Sequence, residues 1–286
     1  MIDAPSSTWF TVAPHWQWLI ATYFFFGGLA GGSFFLAALI DLVGRAEDRP
    51  LARIGYWIAL PCIVICGILL IFDLSRPLRF WHLLVENNTW WPMLKAWSPM
   101  SVGSWALLLF GVCTLFPVLG IRPPRLAGKI VAIIGGLLGL YVAGYTGVLL
   151  AVTNRPVWAD TPLLGALLVV SAVSISAALM LLLARRSRWA PPGIAALRRV
   201  DVQAIVLEIV VLAAVLFSLG AAVEALWSLR NMALLVGAIV LGMAAPLALH
   251  WRRDWMGGAG TAAVLVLAGG FLLRMLIVFS QMDIVR

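Results

Sequence analysis

The residues best equipped for chemistry fall in a few short groups. Asp73, Arg76, Arg79, Trp81 and His82 close one membrane-length apolar run and open the longest gap before the next. A connecting loop has no need of a carboxylate, two guanidinium groups, an imidazole and an indole at a bilayer edge. A site for a polar-headed, lipid-soluble molecule does. His15 and Gln17 open the first apolar run, and Asn154 and Arg155 lie just beyond the fourth. Within that fourth run, at 1.5 Å per residue, Tyr141 and Tyr145 fall roughly 18 and 24 Å from its start, with Thr146 beside Tyr145. Four segments thus bring hydrogen-bonding groups to one depth. A quinone requires donors to its two carbonyls, an apolar slot for its tail and a group that exchanges protons. His15, Gln17, Tyr145 and Asp73 supply the polar part. Taken singly, Tyr145 also reads as an interfacial tyrosine, and Asp73 with Arg76 as a helix-end ion pair.

Ionisable groups deeper in apolar runs carry more information, because a charge in the bilayer is costly and is kept for function or for a partner. Asp41, Glu208, Glu224 and Arg274 are such groups. Snorkelling to the interface accounts for Asp41 and Glu224. It accounts for Glu208 only partly and for Arg274 poorly. The four are candidates for a proton or water path across the protein, with an internal ion pair as the alternative.

Several chemistries are disfavoured. A bis-histidine haem needs two imidazoles facing each other from helices. The three histidines, His15, His82 and His250, all lie at or beyond the ends of apolar runs. No Cys-x-x-Cys-His occurs, and Cys62, Cys66 and Cys113 are too few for an iron–sulfur cluster. They read as small buried apolar residues. No haem and no metal is expected in this chain, and no phosphate loop or nucleotide fingerprint is present. Electrons must therefore arrive from a partner.

These groups need a membrane scaffold. Hydrophobic residues make up 63% of the 286 and charged residues 11%, against about 25% charged in a soluble domain. Mean hydropathy is +1.03. Eight runs reach the roughly 20 apolar residues that a spanning helix requires. They cover residues 16–43, 54–72, 101–119, 129–152, 163–184, 202–227, 232–250 and 260–282. The fold class is all-α integral membrane with eight transmembrane helices, packed as two four-helix bundles over about 16–152 and 163–282. The Pro191-Pro192-Gly193 linker also permits a five-plus-three division. No internal repeat is evident. The first run is longer than a signal-peptide core and lacks a basic leader, so it is expected to remain as a span.

The net charge of +8 is not a nucleic-acid footprint, because the basic residues sit in short loops. Thirteen Lys and Arg residues fall on one side, from Arg45 to Arg253, and six on the other. The richer side is expected to be cytoplasmic. Both termini and the long loop to Pro99 then face the periplasm of a bacterial inner membrane. That loop holds Trp81, Trp90, Trp91 and Trp97. It reads as an aromatic belt against lipid headgroups, a docking surface for a partner, or both. Gly27, Gly28, Gly31 and Gly32 in the first run, and Gly135, Gly136, Gly139, Gly144 and Gly147 in the fourth, form small-xxx-small patterns that let helices approach closely.

Four blocks carry a family resemblance: Tyr23-Phe24-Phe25-Phe26-Gly27-Gly28-Leu29-Ala30-Gly31-Gly32; Phe72-Asp73-Leu74-Ser75-Arg76-Pro77-Leu78-Arg79-Phe80-Trp81; Ser98-Pro99-Met100-Ser101-Val102-Gly103-Ser104-Trp105; and Gly144-Tyr145-Thr146-Gly147-Val148-Leu149-Leu150 with Thr153-Asn154-Arg155-Pro156-Val157-Trp158. In these the chain resembles the NrfD/PsrC family of haem-free, quinone-interacting membrane subunits. The blocks cover the first half; the second half is similar only in having further spans. The resemblance implies exchange of two electrons and two protons with menaquinone or ubiquinone. It also implies an iron–sulfur partner of the four-cluster type, often joined to a molybdopterin catalytic subunit. It places headgroup ligands at His15 or Gln17 and at Tyr145, and it matches Asp73 with Arg76. Two rivals are a proton-coupled transporter built on Arg274 and Glu208, and a passive anchor without a quinone site.

Overall fold

The computed structural model describes residues 18–74, 76–120, 125–153, 155, 157–185, 193–251 and 255–280. Eight helices in it are long and apolar enough to cross a membrane, and no strand occurs among the described residues. They are α1 (Trp18–Val43), α2 (Arg49–Asp73), α3 (Pro99–Val118), α4 (Arg125–Ala151), α5 (Leu164–Ala184), α6 (Gly193–Ser218), α7 (Leu229–Trp251) and α8 (Trp255–Phe279). The protein is a multi-pass membrane protein. Short connections alternate between two faces. The Arg- and Lys-rich connections share one face, here termed basic; the Trp-bearing loop lies on the other.

Helix ends follow local chemistry. Pro50 and Pro99 stand in the first turns of α2 and α3, where their missing N–H costs nothing. The Ser98 side chain accepts from the Ser101 N–H, and Ser228 likewise caps α7 through the Asn231 N–H. Two boundaries differ from the sequence expectation. The sixth helix ends at Ser218, not near Trp227, because Gly220 adopts φ +52° and a 3₁₀ segment, Gly220–Leu226, follows. The same helix begins at Gly193, well before the apolar run. Its first N–H donates to Asp48 Oδ1 at 2.6 Å, so a buried carboxylate from the α1–α2 connection caps it from outside. Pro246 explains the irregularity of α7. It has no N–H to return to Gly242, and a π turn, Val240–Ala244, forms instead, with the Ala245 N–H donating to Val240 O.

Helices α1 and α5 form the centre. α1 packs against α2, α4, α5 and α8, and α5 packs against α1, α4, α6 and α8. α3 closes the first group against α2 and α4, and α7 closes the second against α8. Close backbone approach explains the glycines. A Cβ on Gly31 would strike the Gly139 carbonyl, joining α1 to α4, and one on Gly269 would strike the Gly242 Cα, joining α8 to the π turn. The outer helices turn apolar stripes away from the protein. Ile130, Ile133, Ile134 and Leu137 recur at helical spacing on α4, all exposed, as acyl-chain contact requires.

Candidate functional site

Two polar regions emerge, one near the Trp-rich face and one running through the second group of helices. In the first, Tyr145 lies six residues from the end of α4, about 9 Å deep. It is 7% exposed. Its hydroxyl donates to the Pro99 carbonyl at 2.7 Å, at the head of α3. The ring lies against Gly103, where a Cβ would overlap it. It stacks on Tyr141, centroids 5.7 Å apart. Tyr23 of α1 approaches the same tyrosine and also Cys66. Tyr145 is thus fixed in place by the family-like blocks of the first half, with its oxygen lone pairs still able to accept.

Asp73 is half-buried at the end of α2, and Arg76 is exposed. No ion pair joins these two among the described residues, so the carboxylate is not held by its neighbour. Arg155 is half-buried in the α4–α5 connection, where its carbonyl accepts from the Ala159 N–H at 2.8 Å. Among the described residues neither Asp73 nor Arg155 hydrogen-bonds to Tyr145. His15, Gln17 and Asn154 lie outside the described residues.

The long loop is folded tightly. A 3₁₀ segment, Pro77–Leu83, leads into a narrow hairpin with an isolated bridge between Val85 and Pro92. The Glu86 N–H donates to Trp91 O at 3.0 Å and the Met93 N–H to Leu84 O at 2.8 Å. Trp90 has φ +57° and stacks on Trp81, with planes 3° apart. Trp105 of α3 ties the hairpin down by donating to Met93 O at 3.0 Å. Trp90, Trp91 and Trp97 nevertheless remain 69%, 73% and 82% exposed.

The second region centres on Arg274, which is 1% exposed. Its Nε donates to Phe24 O at 3.1 Å, and Nη1 donates to Ser171 Oγ at 3.0 Å and to Gly270 O at 2.8 Å. The guanidinium also lies over the Phe25 ring, 5.8 Å from its centroid. Gly28 leaves room for it: a Cβ there would sit 2.7 Å from Nη2. Glu208 is buried beside it, facing Ser171, Ser174 and the Arg274 charge. No direct ion pair joins Glu208 to Arg274 among the described residues; Ser171 lies between them. The structure therefore brings Glu208 and Arg274 together. Asp41 and Glu224 stand apart. Asp41 is exposed at the basic end of α1, beside Tyr56 and Arg49. Glu224 is exposed in the 3₁₀ segment after α6.

A further pair escaped the sequence reading. Asp201 Oδ2 lies 3.2 Å from His250 Nε2, and the side chains are 3% and 5% exposed. Asp201 sits seven residues before Glu208, an interval that returns a helix to nearly the same face. That spacing was available in the sequence, but Asp201 falls just before the apolar run and looks like a loop residue there.

The sequence model of the NrfD_2 family, described as polysulfide reductase, matches residues 7–284. The chain belongs to this NrfD-type polysulfide reductase family. The NrfD-type protein is 30% identical to a membrane-family relative named as part of the polysulfide reductase of Wolinella succinogenes, over 56% of its own length and 55% of that protein's. It is 25% identical to a relative named as part of the selenate reductase of Mesobacillus selenatarsenatis, over 36% of its own length and 22% of that protein's. It thus spans little more than half of the first curated relative it matches and less of the second.

Proposed function

We propose that this protein is the membrane subunit of a multi-subunit oxidoreductase and exchanges electrons and protons between a membrane quinone and an iron–sulfur partner. The observation that carries the reading is Tyr145. It is a buried phenol, clamped by Pro99 and Gly103 about 9 Å below the Trp-rich ends of the helices, in a member of the polysulfide reductase family. The residues present fit a quinone headgroup. Tyr145 offers a hydroxyl, and Asp73 a carboxylate at the membrane edge with no ion pair to Arg76 among the described residues. Apolar helix faces beside them suit a prenyl tail. A bound quinone, menaquinone or ubiquinone, supplies two-electron, two-proton chemistry. Tyr145 holds a carbonyl or hydroxyl oxygen, with His15 or Gln17 and Asn154 or Arg155 on the other side of the headgroup. Asp73 exchanges protons with water, and Arg76 keeps that carboxylate ionised by its charge.

Electrons come from a partner of the four-cluster iron–sulfur type, carried in turn by a molybdopterin subunit. The exposed tryptophans of the folded hairpin offer that partner large, rigid contact area. The relatives named as parts of polysulfide and selenate reductases support this assembly. With the basic face cytoplasmic, the quinone site and the partner are periplasmic, in a bacterial inner membrane. Deeper in the protein, Glu208 acts as a proton-holding group. Arg274 is a fixed cation, since a guanidinium keeps its proton.

The test is purification from native membranes in mild detergent, with identification of co-purifying subunits and extraction of bound quinone. An iron–sulfur subunit and quinone are expected to accompany the protein. Tyr145→Phe should then abolish most quinone-linked turnover while the complex still assembles. Normal turnover in that variant leaves only a passive anchor. A stable lone protein without quinone favours a transporter.

A further inference from the structure

Asp201 Oδ2 meets His250 Nε2 at 3.2 Å, while its other oxygen, Oδ1, is buried with no hydrogen-bond partner among the described residues. A buried carboxylate oxygen left unsatisfied is costly, and such an atom calls for an ordered water or a proton. The pair sits toward the basic end of the second helix group: Asp201 is eight residues into α6, about 12 Å from its start. Arg198, one turn closer to the basic face, donates Nη2 to His250 O at 2.9 Å and holds the end of α7 in place. Glu208 follows two turns further along the same face of α6, about 10 Å deeper. About three hydrogen-bonded waters span that interval. Beyond Glu208 the polar series meets Ser171 and Ser174 and then Arg274. Arg274, bound to Phe24 O, Gly270 O and Ser171, is a fixed positive charge. A fixed guanidinium across a path is an electrostatic barrier to protons.

We propose that Asp201 and His250 form a proton inlet on the basic face that loads Glu208 through water, in a half-channel closed at its far end by Arg274. A proton from bulk water binds the His250–Asp201 pair and leaves hydroxide to the solvent. It then passes along the waters to the Glu208 carboxylate, which becomes a neutral acid. No electron moves in this step. The charged groups around the inlet are Arg198 and Glu208 on α6, His250 on α7, and Arg274 on α8. Arg185 at the end of α5 lies against Gly260 of α8, and Arg199 is exposed. The inference deepens the proton-holding role given to Glu208 above and is independent of the quinone site.

Infrared difference spectroscopy on the full-length protein, reconstituted in oriented lipid vesicles without quinone, tests it. A pH step on the basic side should produce a protonated-carboxyl band that Glu208→Gln removes. The same step on the Trp-rich side should not. Asp201→Asn should retain the band but slow its appearance by about tenfold or more, and azide should restore the rate as a diffusible proton carrier. His250→Gln provides a second variant should Asp201→Asn misfold, with the same slowing expected. If both variants load Glu208 at the wild-type rate, or if the band answers to the Trp-rich side, the pair is a structural tie and the inlet is wrong. The measurement needs neither quinone nor partner, so failure of the quinone reading would show separately, as normal turnover in Tyr145→Phe.

Discussion

Replacing Tyr145 with Phe removes one hydroxyl and keeps the ring that Gly103 and Tyr141 hold. The lost bond to Pro99 should cost about 0.5–1.5 kcal/mol, a small drop in thermal midpoint. Quinone-linked turnover should fall far more than that drop suggests. Gly103→Ala approaches the same phenol from the other side. Its methyl overlaps the Tyr145 ring, so turnover should fall along with stability, and a normal rate would show that the ring position is unimportant. Tyr145 and Asp73 stood out in the sequence because polar groups at the edges of apolar runs are few. Asp201 and His250 did not, because each lies at a run's end and their meeting depends on how α6 and α7 pack. Asp41 and Glu224 stood out for the same reason as Glu208. Only packing separates the exposed pair from the buried one.

Helices in lipid gain little from burying apolar surface, so α1, α5 and α8 are joined instead by close backbone contact and by Arg274. Removing that guanidinium leaves Glu208 without its counter-charge and Phe24 O and Gly270 O without their donor. Arg274→Ala should destabilise the protein by about 3–5 kcal/mol, and thermal unfolding in detergent measures it. Arg274→Ala combined with Glu208→Gln should recover part of the loss, because no uncompensated charge remains. Two neighbouring glycines should differ. A methyl on Gly31 strikes the backbone of Gly139, which cannot yield, and should cost about 1–3 kcal/mol. A methyl on Gly28 meets the tip of the Arg274 side chain, which can shift, and should cost less. Hydropathy located all eight spans, because lipid dictates their length. It misplaced the ends of α6, because Asp48 caps the helix from another loop and Gly220 breaks it early. Neither signal is hydrophobic.

At the scale of the whole molecule, the Trp-rich hairpin stands apart from the packed helices and carries little of their stability. Trp90→Ala together with Trp97→Ala should leave the unfolding temperature of the isolated protein nearly unchanged while releasing partner subunits during purification. Retention of the partners would assign those rings to the lipid headgroups. The long-range connectivity has a consequence for how the protein is made. The Nε of Arg274 reaches Phe24 O across 250 positions of sequence, so the first span acquires this contact only from the eighth. At about 5–20 residues per second, roughly ten to fifty seconds of synthesis separate the two. During that interval α1 must wait in the membrane with its glycine-lined grooves unfilled, in the care of lipid or of the insertion machinery. Arrival of the last helix locks the first, and a polypeptide interrupted before Arg274 would present membrane proteases with an open bundle.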